Sequence, residues 1–198
     1  MNDPRPPAAA RPSEPRFRGG LAVLSGPSGS GKTSICKALL EDPRVELSIS
    51  ATTRPPRAGE QDGVDYWFHS QDEFRRMVAA GEFVEWAEVY GNLYGTPRRP
   101  LEAASGRGDR LMLLDIDVQG AEQLRRRGIA ATFLFVAPPS LAELQRRLTA
   151  RATDPADVIR RRLDVAAKEM EQKHLYDHVL VNERLEATIA TAKALLGL

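Results

Sequence analysis

An eight-residue run, Gly26-Pro27-Ser28-Gly29-Ser30-Gly31-Lys32-Thr33, leaves this chain few folds to choose from, because of what stands on either side of it. The pattern G-x-x-x-x-G-K-[ST] recurs by chance and gains meaning only from its flanks. Here the continuously apolar Leu21-Ala22-Val23-Leu24 reads as a strand covered on both faces, and a helix is expected over about 32–41. Between them, glycines let successive backbone N–H groups point into one concavity, and the helix start adds the positive end of its dipole. Lys32 supplies a mobile cation for β- and γ-phosphates, and the Thr33 hydroxyl suits Mg²⁺. A glycine-rich turn with an exposed lysine is the simpler alternative, and it leaves the flanking strand and helix unexplained.

The same alternation continues along the chain. Leu111–Leu114, Thr132–Val136 and His178–Val181 read as further buried strands. Leu141, Leu144 and Leu148 form one helical stripe; Ile159, Leu163, Ala166 and Met170 form a second; Leu185, Ile189, Ala192 and Leu196 form a third. The fold class expected is therefore α/β, with a parallel sheet between helices. Residues 50–96 break the rhythm: Val64–Phe68, a short helix around Phe74, Met77 and Val78, and Phe83–Trp86 read as a small β-rich insertion. At 198 residues there is room for one domain. Residues 1–18 carry five prolines and four arginines and no apolar run of the secretory kind, and are expected to form a disordered tail. With 28 basic and 27 acidic residues nothing suggests a nucleic-acid partner. No apolar stretch reaches the roughly 20 residues of a membrane span. The single cysteine, Cys36, fits a reducing cytoplasm and should pack in the first helix without a reactive role.

Two arginines, Arg54 and Arg57, stand three residues apart around Pro55-Pro56. Stiffened in this way they suit a dianionic phosphate, which the planar guanidinium can grip through two bonds; a solvated basic loop is the alternative. Asp115 and Asp117 follow a buried strand, at the end where α/β sheets place their ligands. Asp117 is also placed to cap a following helix.

Taken together, the G-P-S-G-S-G-K loop, T-T-R-P-P-R-A-G-E at 52–60, Y-G-N-L-Y-G-T at 90–96, L-D-I-D-V-Q-G at 114–120 and F-V-A-P-P-S at 135–140 resemble the guanylate kinase family, in order and spacing, over residues 19–198. The resemblance implies a P-loop nucleoside monophosphate kinase fold that transfers the γ-phosphoryl group of ATP to GMP with Mg²⁺. It implies a core of 19–49, 97–140 and 171–198, a mixed-β GMP-binding region at 50–96 and a helical lid at 141–170. It further implies that Gly26 to Thr33 hold ATP, that Asn182 meets adenine, and that Thr33 and Asp115 serve the metal. Ser50, Glu85 and Thr96 are implied as guanine contacts, Arg54, Arg57, Tyr66 and Tyr94 as holders of the GMP phosphate, and Asp117 as a neighbour of GMP. Glu60 either braces the arginines or binds the nucleotide. The assignment of Glu85 makes chemical sense, since guanine presents N1–H and N2–H₂ donors side by side and an ionised carboxylate accepts from both. The same enzyme could accept dGMP.

Six arginines lie between 146 and 162. At 100° per residue, Arg161 points away from the apolar stripe of its helix, whereas Arg162 flanks the stripe at about 70° and Arg160 at about 90°. Arg162 is thus the one best anchored toward a site. The resemblance selects Arg151 and Arg162 as lid arginines and, with Lys32 and Arg57, as the catalytic set. Ala152 stands where the family usually has glycine, so lid geometry or closing rate is expected to differ here; Glu183, after Asn182, stands where aspartate is frequent, a mild change. Two rival readings share the fold: a kinase acting on another phosphorylated acceptor such as a ribose bisphosphate, and a non-catalytic module that binds phosphopeptides. The base-reading residues speak against the first and the intact P-loop against the second.

Overall fold

In the computed structural model, the described residues are 20–104, 110–150 and 155–198. The expected tail at 1–18, and Arg151 and Ala152 of the lid, lie outside them. In chain order the elements are β1 (Gly20–Ser25), α1 (Lys32–Leu39), β2 (Val45–Leu47), β3 (Ala51–Thr52), β4 (Trp67–Phe68), α2 (Gln71–Ala79), β5 (Phe83–Val89) and β6 (Asn92–Pro97). They continue with α3 (Arg98–Ala104), β7 (Leu111–Asp115), α4 (Val118–Arg126), β8 (Thr132–Ala137), α5 (Leu141–Ala150), α6 (Ala156–Glu171), a 3₁₀ turn (Gln172–Leu175), β9 (His178–Val181) and α7 (Leu185–Leu196).

Five strands form the main sheet in the order β2-β7-β1-β8-β9, and every pairing is parallel. The strand periodicity sorts β1 onto two cores. Ala22 and Leu24 face Ile35, Leu39, Leu134 and Ala192 on the α1 and α7 side. Leu21 and Val23 face Leu114, Leu124 and Phe133 on the α4 side. Burial on both faces is why β1, β7 and β8 read as unbroken apolar runs rather than alternating ones. The register sets Leu24 beside Asp115, so the loop after β1 and the end of β7 open onto one crevice.

Helix α1 ends at Leu39 with Leu40 as its C-cap, two residues short of the expected 41. Strand β2, three residues at the sheet edge with the sequence Val-Glu-Leu, carried too little apolar signal to be anticipated. Of the stretch 64–68 only Trp67 and Phe68 enter a strand, while Val64 is 60 % exposed. The insertion is a second sheet, β4-β3-β6-β5, on a small core in which Phe74 and Phe83 stack with ring centroids 4.5 Å apart. Strands β5 and β6 are joined by Tyr90 and Gly91, both at positive φ (51° and 79°), the left-handed pair that a two-residue hairpin turn demands.

The edge of β5 is covered by α4 instead of being left open. The side-chain amide of Gln123 imitates a neighbouring strand: its Nε2 donates to Trp86 O at 2.6 Å and its Oε1 accepts from Trp86 N at 3.3 Å. Helix α5 packs on α6 through Leu144, Leu148 and Ala166, with Ile159 and Leu163 against them. Met170, expected in the same stripe, belongs instead to the cluster around Phe135 and Ala137, so α6 runs from that helical pair onto the main sheet. No helix among the described residues is long and apolar enough to cross a membrane.

Candidate active site

Residues 26–33 curl between β1 and α1 as the motif requires. Lys32 folds back over the loop and donates to Gly26 O at 2.6 Å and Pro27 O at 3.2 Å. Gly31 caps α1 at φ 102°, and a β-carbon there would lie 2.2 Å from Asn182 Nδ2. Both its conformation and its surroundings therefore demand glycine. Pro27 is buried, Ser28 and Gly29 are half-buried, and Thr33 is exposed in the first turn of α1. Ser30 Oγ is buried with no hydrogen-bond partner.

Asn182, the residue expected to meet adenine, is tied to the phosphate loop. It is 5 % exposed, its Nδ2 donates to Ser30 O at 2.8 Å and its Oδ1 accepts from Thr188 Oγ1 at 3.2 Å. Its amide therefore pins the loop from beneath. Removing it would strand the buried Ser30 carbonyl, and such an orphan costs about 1–3 kcal/mol. Asn182→Ala is expected to lower Tm by several degrees and to weaken ATP binding in calorimetry; full ATP affinity in that variant would show that the loop holds its shape without the amide.

Three carboxyl groups, those of Asp115, Asp117 and Glu169, feel the charge of Lys32. Burial pushes Asp115 up from the ordinary carboxylate range, with Lys32 opposing. Asp117 is also pushed up by burial, against the pull first of the Gly120 N–H and then of Gln119 and Lys32. Its Oδ1 caps α4 by accepting from Gly120 N at 2.9 Å, the role its position suggested. Glu169, on α6, is pushed up to about 7 by burial, with Lys32 drawing it down and Asp117 pushing it further.

The acceptor side is built by the second sheet and its loops. Arg54 Nη2 donates to Glu60 Oε1 at 2.8 Å and its guanidinium stands 5.4 Å from the centroid of the Tyr66 ring. Tyr66 meets Tyr94 edge to face at 6.1 Å. Burial pushes the Tyr66 hydroxyl up to about 12, with Asp115 and Tyr94 adding to it, so this cluster looks toward the end of β7. The other oxygen of Glu60 accepts from Arg57 N at 2.7 Å. Glu60 therefore braces the loop that carries both arginines, and the Arg57 side chain is exposed.

Deeper in the same sheet, Glu85 and Thr96 are register partners on β5 and β6. Thr96 Oγ1 donates to Glu85 Oε1 at 2.5 Å, and the two residues are 0 % and 3 % exposed, threonine first. Burial pushes the Glu85 carboxyl up to about 7, the Thr96 hydroxyl pulling it down and Asp117 pushing it up. Ser50 is half-buried just before β3, its carbonyl accepting from Trp67 N at 2.9 Å.

From α6, Arg162 Nη2 donates to Ser28 Oγ at 2.6 Å. Arg161 points outward as the periodicity requires, 69 % exposed and paired with Asp157. Four residues in this region carried no expectation. Glu169 lies two turns beyond Arg162 on the same face of α6, a spacing of seven that the sequence does display. Tyr90, at the hairpin tip, sits by the same pair: burial raises its hydroxyl, Glu169 raises it further and Arg162 lowers it. Arg147 bridges α5 to the segment after β9, Nη2 donating to Asn182 O at 2.9 Å and Nε to Glu143 Oε1 at 2.9 Å. Gly120 touches Glu85, a contact between residues 35 apart that no local pattern announces.

A family model for guanylate kinases matches residues 18–197 of this chain. The guanylate kinase of Geobacter metallireducens is 48 % identical over 179 residues, covering 90 % of this chain and 88 % of that one. The guanylate kinase of a Synechococcus species is 49 % identical over 172 residues, covering 86 % and 91 %. Among solved structures, guanylate kinase from Anaplasma phagocytophilum superposes with a TM-score of 0.74 at 38 % identity, over 90 % of this chain and 85 % of that one.

Proposed function

The chain belongs to the guanylate kinase family, whose reaction is the phosphorylation of GMP by ATP, and from that premise we propose how its residues divide the work. ATP lies with its phosphates in the loop 26–33 and GMP on the second sheet, in a chain that we divide into core (19–49, 97–140, 171–198), GMP-binding region (50–96) and lid (141–170). The observation that supports this most is the buried Glu85–Thr96 pair, lying against the first turn of α4 at Gly120. A buried carboxylate with a spare oxygen is expensive unless something donates to it, and guanine's N1–H and N2–H₂ are the donors that fit. Ser50 flanks the same edge. Adenine presents no such pair of donors and would leave the carboxylate desolvated and unmet.

Arg54, Tyr66 and Tyr94, with Arg57 swinging in, hold the GMP phosphate, and Glu60 keeps the arginine loop in place. Asp117 stands between GMP and the helix it caps. A phosphate oxygen of GMP is already anionic, so it needs no base: it attacks the γ-phosphorus in line, and the bond to the β-bridging oxygen breaks to release ADP. Lys32, moving from the loop carbonyls to the phosphates, and Arg151 and Arg162 from the lid neutralise charge on the transferring group. The donor set fits Mg²⁺. Among the described residues no group of three or more metal-binding side chains is gathered, and Mg²⁺ in kinases is held by one or two protein oxygens, phosphates and water. Thr33 would supply the direct oxygen and Asp115 an outer one, and the ion when bound shields the β- and γ-phosphate oxygens. We place the enzyme in the cytoplasm, with dGMP as an alternative acceptor and no nucleic-acid or membrane partner.

A coupled ADP-release assay offering GMP, AMP, CMP and UMP in turn tests the reading. Turnover with GMP alone is expected; turnover with AMP at a similar rate would remove Glu85 as the reader of the base. The acid strength of Glu85 gives a second test. Its folded value of about 7 lies above the ordinary 4.5, so its burial penalises folding as pH rises through this interval, fully so above 7. GMP, which needs the ionised form, should bind more tightly as pH rises through 7, by about tenfold between pH 6 and 8 from this group. The GMP phosphate titrates near 6, so the comparison is with Glu85→Gln. Parallel pH profiles of GMP affinity for the two proteins would refute the assignment.

A further inference from the structure

We infer that Gly120 is a specificity-positioning residue: the bare face it leaves on the first turn of α4 is the space that Glu85 Oε2 occupies, and it fixes the carboxylate plane offered to the base. The inference rests on the reading of Glu85 as the guanine contact and goes beyond it to what holds that contact in place.

A β-carbon at position 120 would lie 2.3 Å from Glu85 Oε2 and 2.9 Å from its carboxyl carbon. The other oxygen of Glu85 is held from the opposite side by Thr96 Oγ1. With one oxygen tethered to β6 and the other lodged against α4, the carboxylate has a single orientation. Helix α4 is itself fixed at this point, since Asp117 Oδ1 accepts from the Gly120 N–H. Gln119 Nε2, one residue earlier, donates to Glu88 O at 3.2 Å and ties the turn to the same strand that carries Glu85. The φ of Gly120 is not in the left-handed region, so no backbone conformation demands glycine there. Helix propensity alone would favour alanine inside α4. Glycine is thus explained by the contact and not by the helix.

This distinction makes the inference testable. The atoms a methyl group would strike belong to the end of a side chain, so the chain of Gly120→Ala folds, with Tm at or above that of the wild type, and the displacement falls on Glu85. The measurement is steady-state kinetics with GMP and with inosine 5′-monophosphate, which keeps N1–H and lacks the 2-amino group. The expected result is a KM for GMP raised on the order of tenfold, an unchanged KM for ATP, and a GMP-over-inosine-monophosphate preference in kcat/KM reduced on the order of tenfold, the worth of one charged hydrogen bond. Adding Glu85→Asp, which withdraws the carboxylate by one methylene, should give a double variant that prefers GMP more strongly than Gly120→Ala does alone. An unchanged preference, a KM for ATP that rises in parallel, a double variant no better than the single one, or a protein that no longer folds would each overturn the inference. Glu85→Gln separates the two layers. If that variant keeps wild-type GMP affinity, the base-reading assignment itself fails; if it loses affinity while Gly120→Ala does not, only the role of Gly120 falls.

Discussion

Replacing Arg162 with alanine is expected to lower kcat about 10³-fold, or about 4 kcal/mol of transition-state stabilisation, in a protein whose melting temperature changes little. The argument begins on the helix. Arg162 flanks the apolar stripe of α6, close enough to packed residues for its long stem to be guided and far enough round for its guanidinium to reach beyond the helix. It reaches Ser28, within the phosphate loop, at 2.6 Å. With ATP placed in the loop as proposed, a cation held there would meet the negative charge that spreads over the equatorial oxygens as the γ-phosphoryl group leaves ADP. Such a preplaced charge acts more strongly on the transition state than on bound ATP, so the loss should appear in kcat and less in the KM for ATP. Arg161→Ala provides the contrast: its partner Asp157 is one turn away on an exposed surface, and exposed pairs of this kind contribute well under 1 kcal/mol. Steady-state rates of the two variants side by side decide the matter. A near-normal rate for Arg162→Ala, or an equal loss in both, would remove Arg162 from the catalytic set.

Glu85→Gln should produce the other large effect, a loss of about 3 kcal/mol in GMP binding, on the order of 10²-fold in Kd. Glutamine has nearly the shape of glutamate, so packing against Thr96 and Gly120 survives. Its NH₂ group, however, must face a guanine donor with another donor, and one hydrogen bond becomes a repulsion while the other loses its charge. At the same time the substitution removes a buried ionisable group that folding holds against its preference, so thermal stability should be maintained or raised. Opposite signs for stability and affinity are the signature of a group kept for function at the expense of the fold. Calorimetric titration with GMP checks the affinity, and unchanged binding would refute the role.

Much of this molecule was legible along the chain. Strands β1, β7 and β8 announced themselves because burial on both faces forces unbroken apolar runs, whereas β9, expected to be buried as well, is an edge strand that hides Leu180 and leaves Val179 and Val181 exposed; α6 and α7 announced themselves because a packed helix repeats its apolar contacts every three or four residues. The direction of Arg162 followed from the same geometry. The phosphate loop was readable since backbone N–H groups that converge on an anion need glycine at fixed places. What stayed hidden was either short or remote. Strand β2, three residues with a glutamate at its centre, is a strand only because β7 offers it hydrogen bonds. The hold of Asn182 on the phosphate loop was hidden until the fold brought Ser30 O within 2.8 Å of its amide. Tyr90 and Glu169 lie far apart in the chain and meet only where the hairpin tip reaches α6.

Residue identity and spacing alone thus determined the kind of fold and the phosphate loop, because these depend on periodicity and on where glycine must stand, while the side chains proposed to recognise the nucleotide were named by the family resemblance. The tertiary structure alone decided the acid strength of Glu85, the bracing role of Glu60, the hold of Asn182 on the loop and the place of Gly120. Each of these depends on which atoms from distant segments exclude water from a polar group or fill the space beside it, and that is a property of packing which no local stretch of sequence contains.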